Sequence, residues 1–271
     1  MLKSLSIAAV SVLALGLSAC SQPSGQDAAP KATNGVINLY TARHYDADEK
    51  IYAAFTKATG IEVRRLEMKP DQLIEKMKAE ADASPADVIL MADAGALWRA
   101  ENAGLLQPVT SEVLTAKIPE AQRDPTGLWF GFSKRARVIV YDTNKVKPEE
   151  VATYESLASP RFKGKVCVRS SDNVYNLSIM AAMIEHWGPA KAEQWARGVV
   201  ANMARQPEGG DTDQIRAVAA GVCEVALSNT YYYLRIADSK DAKDVDVIAK
   251  TKLAFPAFEG KGTHVNISGG A

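Results

Sequence analysis

Of the nine tyrosines in this 271-residue chain, three are consecutive: Tyr231, Tyr232 and Tyr233 in "ALSNTYYYLRIAD". Adjacent residues on a helix point in different directions, and a buried phenol needs a partner for its hydroxyl. A triplet where a strand passes into a helix therefore packs awkwardly and gathers oxygen atoms. Two more tyrosines follow other strands: Tyr45, beside His44 in "YTARHYDAD", and Tyr175, at a helix start in "SSDNVYNLS". Phenolate is a hard donor that suits a hard, highly charged cation, with ferric iron the obvious candidate. A free phenol ionises near about 10, so the metal must drive the protons off. Three phenolates would cancel a 3+ charge and make its burial tolerable, and a helix N-terminus beside them favours their negative form. The competing reading of the triplet is a set of half-buried aromatics at a domain interface.

The elements that must position these residues alternate strand and helix, which argues an α/β fold. Val36 to Tyr40 reads as a strand. Asp46 and Asp48 are expected to cap a helix with Ile51, Ala54 and Phe55 on its apolar face, ended by Gly60. "IEVRRLEM" is the next strand, a helix after Pro70 carries Leu73, Ile74 and Met77, and "ADVILMAD" is a buried strand. This order implies a parallel sheet with right-handed crossovers. A strand at Val138 to Tyr141 opens a second α/β set, in which "GKVCVRSS" and "CEVALSN" are strands and Asp211 with Gln214 forms a capping box. "KLAFPAFEGKGTHVNISGGA" returns toward the first set. The two sets are two lobes, 35–133 rejoined by 262–271, and 134–261. Ligands of open α/β sheets sit beyond the strand carboxyl ends, where all the candidate tyrosines lie.

Thirty-two basic and 32 acidic side chains balance, which gives no reason to expect nucleic acid. Residues 1–20 read as an export signal: Lys3, then a short apolar run, then "LSAC", similar to a lipobox that would lipidate Cys20. Residues 21–34 read as a flexible tether. Export permits a disulfide between Cys167 and Cys223; two buried thiols are the alternative. His186 is expected near a helix end, His264 in a structural hydrogen bond, and Trp98, Trp129, Trp187 and Trp195 in the core.

The blocks "LYTARHYDAD", "KRARVIVYD", "SSDNVYNLS", "GGDTDQIRAVAAG", "ALSNTYYY" and "GTHVNISG" resemble those of the periplasmic ferric-iron-binding proteins of ABC importers, over nearly all of the chain after the tether. The resemblance implies a two-lobed, type II-like periplasmic binding protein fold with each lobe a mainly parallel sheet, a monomer, no enzymatic activity, and an inner-membrane ABC permease as partner. It implies Tyr45, Tyr175, Tyr231 and Tyr232 as ligands of Fe3+, His44 as a fifth or alternative ligand, and Tyr233 as a packing residue. Arg135 would hold a synergistic carbonate-type anion or stand behind the ligands, with Arg43 a weaker candidate for the same role. Alternatively, four phenolates on ferric iron leave one negative charge that Arg135 would balance. Relatives continue beyond "HVNISGGA", so the chain reads as C-terminally truncated, with apolar surface left open on the first lobe. The competing functions are a binding protein for another small anion or metal chelate and, more remotely, a ferric dioxygenase.

Overall fold

The computed structural model describes residues 35–43, 45–258 and 260–271; the expected export signal and tether, with Cys20, and His44 lie outside them. In chain order the elements are β1 (Val36–Thr41), α1 (Asp46–Thr59), β2 (Glu62–Glu67), α2 (Pro70–Glu80), β3 (Val88–Met91), α3 (Ala94–Asn102), α4 (Glu112–Lys117) and β4 (Phe130–Asp142). They continue with β5 (Val166–Cys167), α5 (Val174–Trp187), α6 (Pro189–Ala201), α7 (Asp211–Ala219), β6 (Val225–Asn229), α8 (Thr230–Ala237), α9 (Ala242–Lys250), β7 (Thr251–Ala254) and β8 (Val265–Gly270).

Hydrogen-bonded strands follow the order β2-β1-β3-β8-β4-β6-β5, with β7 also on β4. β1 pairs parallel with β2 and β3, and β5 pairs parallel with β6. The sheets are mixed rather than purely parallel, because β8 runs against β3 and β4, while β4 runs against β6 and β7. β4 belongs to both halves. Its residues from Phe130 to Ala136 pair with β8, and from Arg137 to Tyr141 with β6. It begins eight residues before the expected Val138, because Phe130–Ala136 is held by β8 and its polar side chains hide the strand in the sequence.

Each half has its own apolar core, as a two-lobed α/β molecule requires. One gathers Leu73, Ile74 and Met77 of α2 with Ile89, Met91 and Leu97. The other gathers Ile139, Tyr154, Phe162, Ile179, Met183 and Leu227. β8 can lie close against β4 because of Gly269, where a Cβ would come 2.3 Å from the Phe130 carbonyl oxygen. Gly60 ends α1 at φ 75°, as expected. Cys167 and Cys223 are joined by a disulfide, Cα to Cα 5.8 Å, tying the end of β5 to the approach to β6.

Four local expectations are corrected. α1 starts after Tyr45 with no side-chain cap, and Asp48 holds Arg43 instead. Its apolar face is open, with Ile51 63% and Phe55 36% exposed. Trp98 is also exposed, while Trp195 is buried as expected. α7 is capped by Gly210, whose N–H donates to Asp213 at 2.7 Å; Asp211 is released for a buried role described below.

Candidate metal centre

Tyr45, Tyr175 and Tyr231 converge although they lie 130 and 56 residues apart in sequence. The Tyr45 hydroxyl donates to Tyr231 at 3.0 Å, Tyr231 donates to Tyr175 at 3.0 Å, and the Tyr45 and Tyr175 oxygens are 3.5 Å apart. The Tyr232 ring lies 4.3 Å from that of Tyr231. Tyr45 comes from the turn after β1, whereas Tyr175 opens α5 and Tyr231 and Tyr232 open α8. Each position follows a strand end, where helix N-termini face inward. Tyr233 is a packing residue, buried, with its hydroxyl on the Thr251 carbonyl at 2.7 Å. The convergence of phenol oxygens from both halves is what a cation site demands. Among the described residues no group of three or more His, Cys, Asp or Glu side chains is arranged to hold a metal, so phenol oxygen is the donor on offer.

Burial raises the pKa of Tyr175, and it raises Tyr231 far above the ordinary phenol value, reinforced by the charges its neighbours Tyr175, Tyr45 and Tyr232 would carry. Tyr232 is pushed up to about 12, again by burial first. Without a cation the cluster therefore keeps its protons and ties itself together by O–H donation. A bound cation reverses the preference, because opposite charge favours the phenolate.

Arginines stand over the rings. Arg43 lies 5.0 Å from the Tyr45 ring, and Arg135 and Arg169 lie 5.0 and 5.4 Å from the Tyr175 ring. The forks of Arg43 and Arg135 are already engaged. Arg43 grips Asp48 through two nitrogens at 2.8 Å, and Arg135 donates to Asp93 at 2.6 Å and to the Ile267 carbonyl at 2.7 Å. Both arginines thus stand behind the phenols, each already paired with a carboxylate.

The second half holds a polar network that the sequence reading missed. Buried Arg137 donates to Asp211 and, at 2.7 Å, to Asn176 beside Tyr175. Asp211 also accepts from the Asn229 N–H at 2.7 Å, just before the tyrosine triplet, and faces Arg169 at 3.5 Å. Two guanidiniums share this one carboxylate, which leaves a positive excess close to Tyr175. The available clue was Arg135 and Arg137 at a spacing of two in a strand that becomes wholly apolar, since buried charges need partners. The imidazole of His264 is held neutral, its pKa lowered to about 4 by burial and then by Arg135 and Arg137. Its backbone N–H donates to Tyr154, the structural role expected. His186 stacks near Phe258 in the last turn of α5.

A cleft of about 400 Å³ opens beside the phenols, lined by Tyr45, Tyr231, Arg43, Lys134 and Arg235 among others. Its basic lining suits a ligand that carries oxygen anions.

The chain matches the family described as bacterial extracellular solute-binding protein over residues 83–257. It is 48% identical over 254 residues to iron uptake protein A1 of Synechocystis, covering 93% of this chain and 71% of that protein. Among solved structures, a Trichodesmium protein in complex with iron and citrate is similar at 54% identity and a TM-score of 0.80, covering 88% of this chain and 75% of that one. The ferric binding protein from Campylobacter jejuni is similar at 42% identity and a TM-score of 0.83, covering 87% and 75%.

Proposed function

This chain belongs to the bacterial extracellular solute-binding proteins, in their ferric-iron-binding group, and from that premise we propose that it captures Fe3+ outside the cytoplasmic membrane for an ABC importer and hands it to the permease. The observation that carries this reading is the meeting of the Tyr45, Tyr175 and Tyr231 hydroxyls within 3.5 Å. Tyr232 is the fourth donor, and His44, outside the described residues, the fifth or alternative one. Its role is binding and transfer rather than catalysis.

In this reading the two lobes divide within β4, which exchanges β8 for β6 as its partner after Ala136. Tyr45 comes from the first lobe and the other three tyrosines from the second. A ligand that touches both favours the closed arrangement. Four phenolates around Fe3+ carry one net negative charge, and the excess guanidinium of the Arg137–Asp211–Arg169 group offsets it. Each phenol that ligates releases a proton, so affinity rises with pH and acid promotes release. Reduction to the softer ferrous ion also weakens the set.

Adding a ferric salt to the purified protein while recording the visible spectrum tests the proposal. The expected result is a phenolate-to-iron charge-transfer band that saturates at one metal per chain; a colourless titration rejects it. A second reading, capture of the metal as an anionic chelate, draws on the basic cleft beside Tyr45 and Tyr231. It predicts a band whose position changes when citrate replaces a non-coordinating counter-ion. His44→Ala is expected to weaken binding less than loss of a tyrosine, because a neutral imidazole compensates no charge.

A further inference from the structure

Tyr175 is followed one turn later by Ser178, and residues three apart on a helix share a face. While the Tyr175 hydroxyl meets those of Tyr45 and Tyr231, the Ser178 hydroxyl donates to Asp93 Oδ1 at 2.6 Å. Ser178 lies on α5 in the second lobe, and Asp93 is the N-cap of α3 in the first, so this bond crosses the cleft. Asp93 is fully buried. Its Oδ2 accepts from Arg135 at 2.6 Å, and its Oδ1 also accepts from the Gly95 N–H at 2.9 Å. Both of those partners belong to the first lobe's own framework: Gly95 is in α3, and Arg135 lies on the part of β4 paired with β8. Asp93 is therefore a fixed carboxylate, preorganised by two donors, and among the described residues Ser178 is the donor that reaches it from across the cleft.

We propose that Ser178 is a positioning residue for metal retention: its hydroxyl, docking on the prearranged Asp93 carboxylate, latches the lobes shut and slows release of the metal without touching it. A hydrogen bond to a charged, desolvated acceptor is stronger than a neutral one. The latch also places a restraint one helical turn from Tyr175, so that closure fixes both ends of the first turn of α5 at once. Opening leaves Asp93 with its two framework donors and makes the contact reversible.

This inference rests on the iron reading for its kinetic consequence but not for its structural one, and the experiment separates the two. In Ser178→Ala, transfer of iron to a competing chelator is expected to be about tenfold faster, with the charge-transfer band unmoved, and Ser178→Thr is expected to restore slow transfer. Small-angle scattering on the metal-free proteins reads the latch without any ligand: the alanine variant is expected to show a larger radius of gyration than wild type and the threonine variant the same one. Unchanged transfer and an unchanged radius in Ser178→Ala overturn the latch. So does a shifted band, which would mean that Tyr175 itself has moved, or equal acceleration in both variants, which would mean that packing rather than the hydroxyl matters. A colourless wild-type protein whose alanine variant still opens would refute the iron reading and leave the latch standing.

Discussion

The two sides of the tyrosine cluster are built differently. On the first side, Tyr45 sits at the start of α1, with Arg43, itself paired to Asp48, standing over its ring. On the second, three tyrosines rise from a buried lattice in which Arg137, Asp211, Asn176 and Asn229 lock the starts of α5 and α8 together. Under the proposed iron reading, the contrast suggests a division of labour: a pre-organised set of three donors on one side and a single completing donor, Tyr45, on the other.

The largest expected effect comes from breaking that lattice. Asp211→Ala leaves the Arg137 guanidinium buried without its carboxylate, a loss of about 3–5 kcal/mol, and the thermal midpoint is expected to fall by roughly 10 °C. A drop of only a degree or two would remove the distinction between the lobes. Next, Tyr231→Phe keeps the fold but deletes the oxygen that receives from Tyr45 and donates to Tyr175. Ferric affinity is expected to fall by more than about 100-fold, beyond the range typical of supporting residues, with a shifted colour. Tyr45→Phe is expected to lose about tenfold and keep most of its colour, since the second-lobe trio persists. Equal losses for the two phenylalanine variants, measured by competition with a chelator, would show that neither lobe leads.

The smallest effect is alkaline. Free tyrosines ionise near about 10, while the folded pKa of Tyr232 is about 12 and those of Tyr175 and Tyr231 are raised. A raised folded value stabilises the metal-free protein fully below the unfolded pKa and loses that contribution as pH climbs through the folded one. The melting temperature is expected to drop by a few degrees between pH 10 and 12; a flat profile would place the phenols in water.

Much of this was legible in the sequence because it is local. Apolar runs announced β1, β3 and β6, Pro70 opened α2, and tyrosines after strand ends pointed at one another across the chain. What escaped depends on distant partners. Asp211 looked like a helix cap because nothing nearby says that Arg137, 74 residues away, claims its carboxylate. For Arg135 the sequence left an anion grip and a supporting role open, because nothing local shows that Asp93, 42 residues away, pairs with its guanidinium. The first half of β4 looked irregular because its polar pattern reflects the cleft it borders. Ile51, Phe55 and Trp98 carried a core-like period, yet their faces stay open in the described structure.

The strand shared by both sheets has a mechanical consequence. Arg135 and Arg137 flank the point where β4 changes partners, two residues apart, one clamped to Asp93 and the other to Asp211. If the halves swivel as the proposed function requires, these two buried ion pairs would hold β4 on either side of Ala136, so that cargo would be given up by turning a joint rather than by loosening either half.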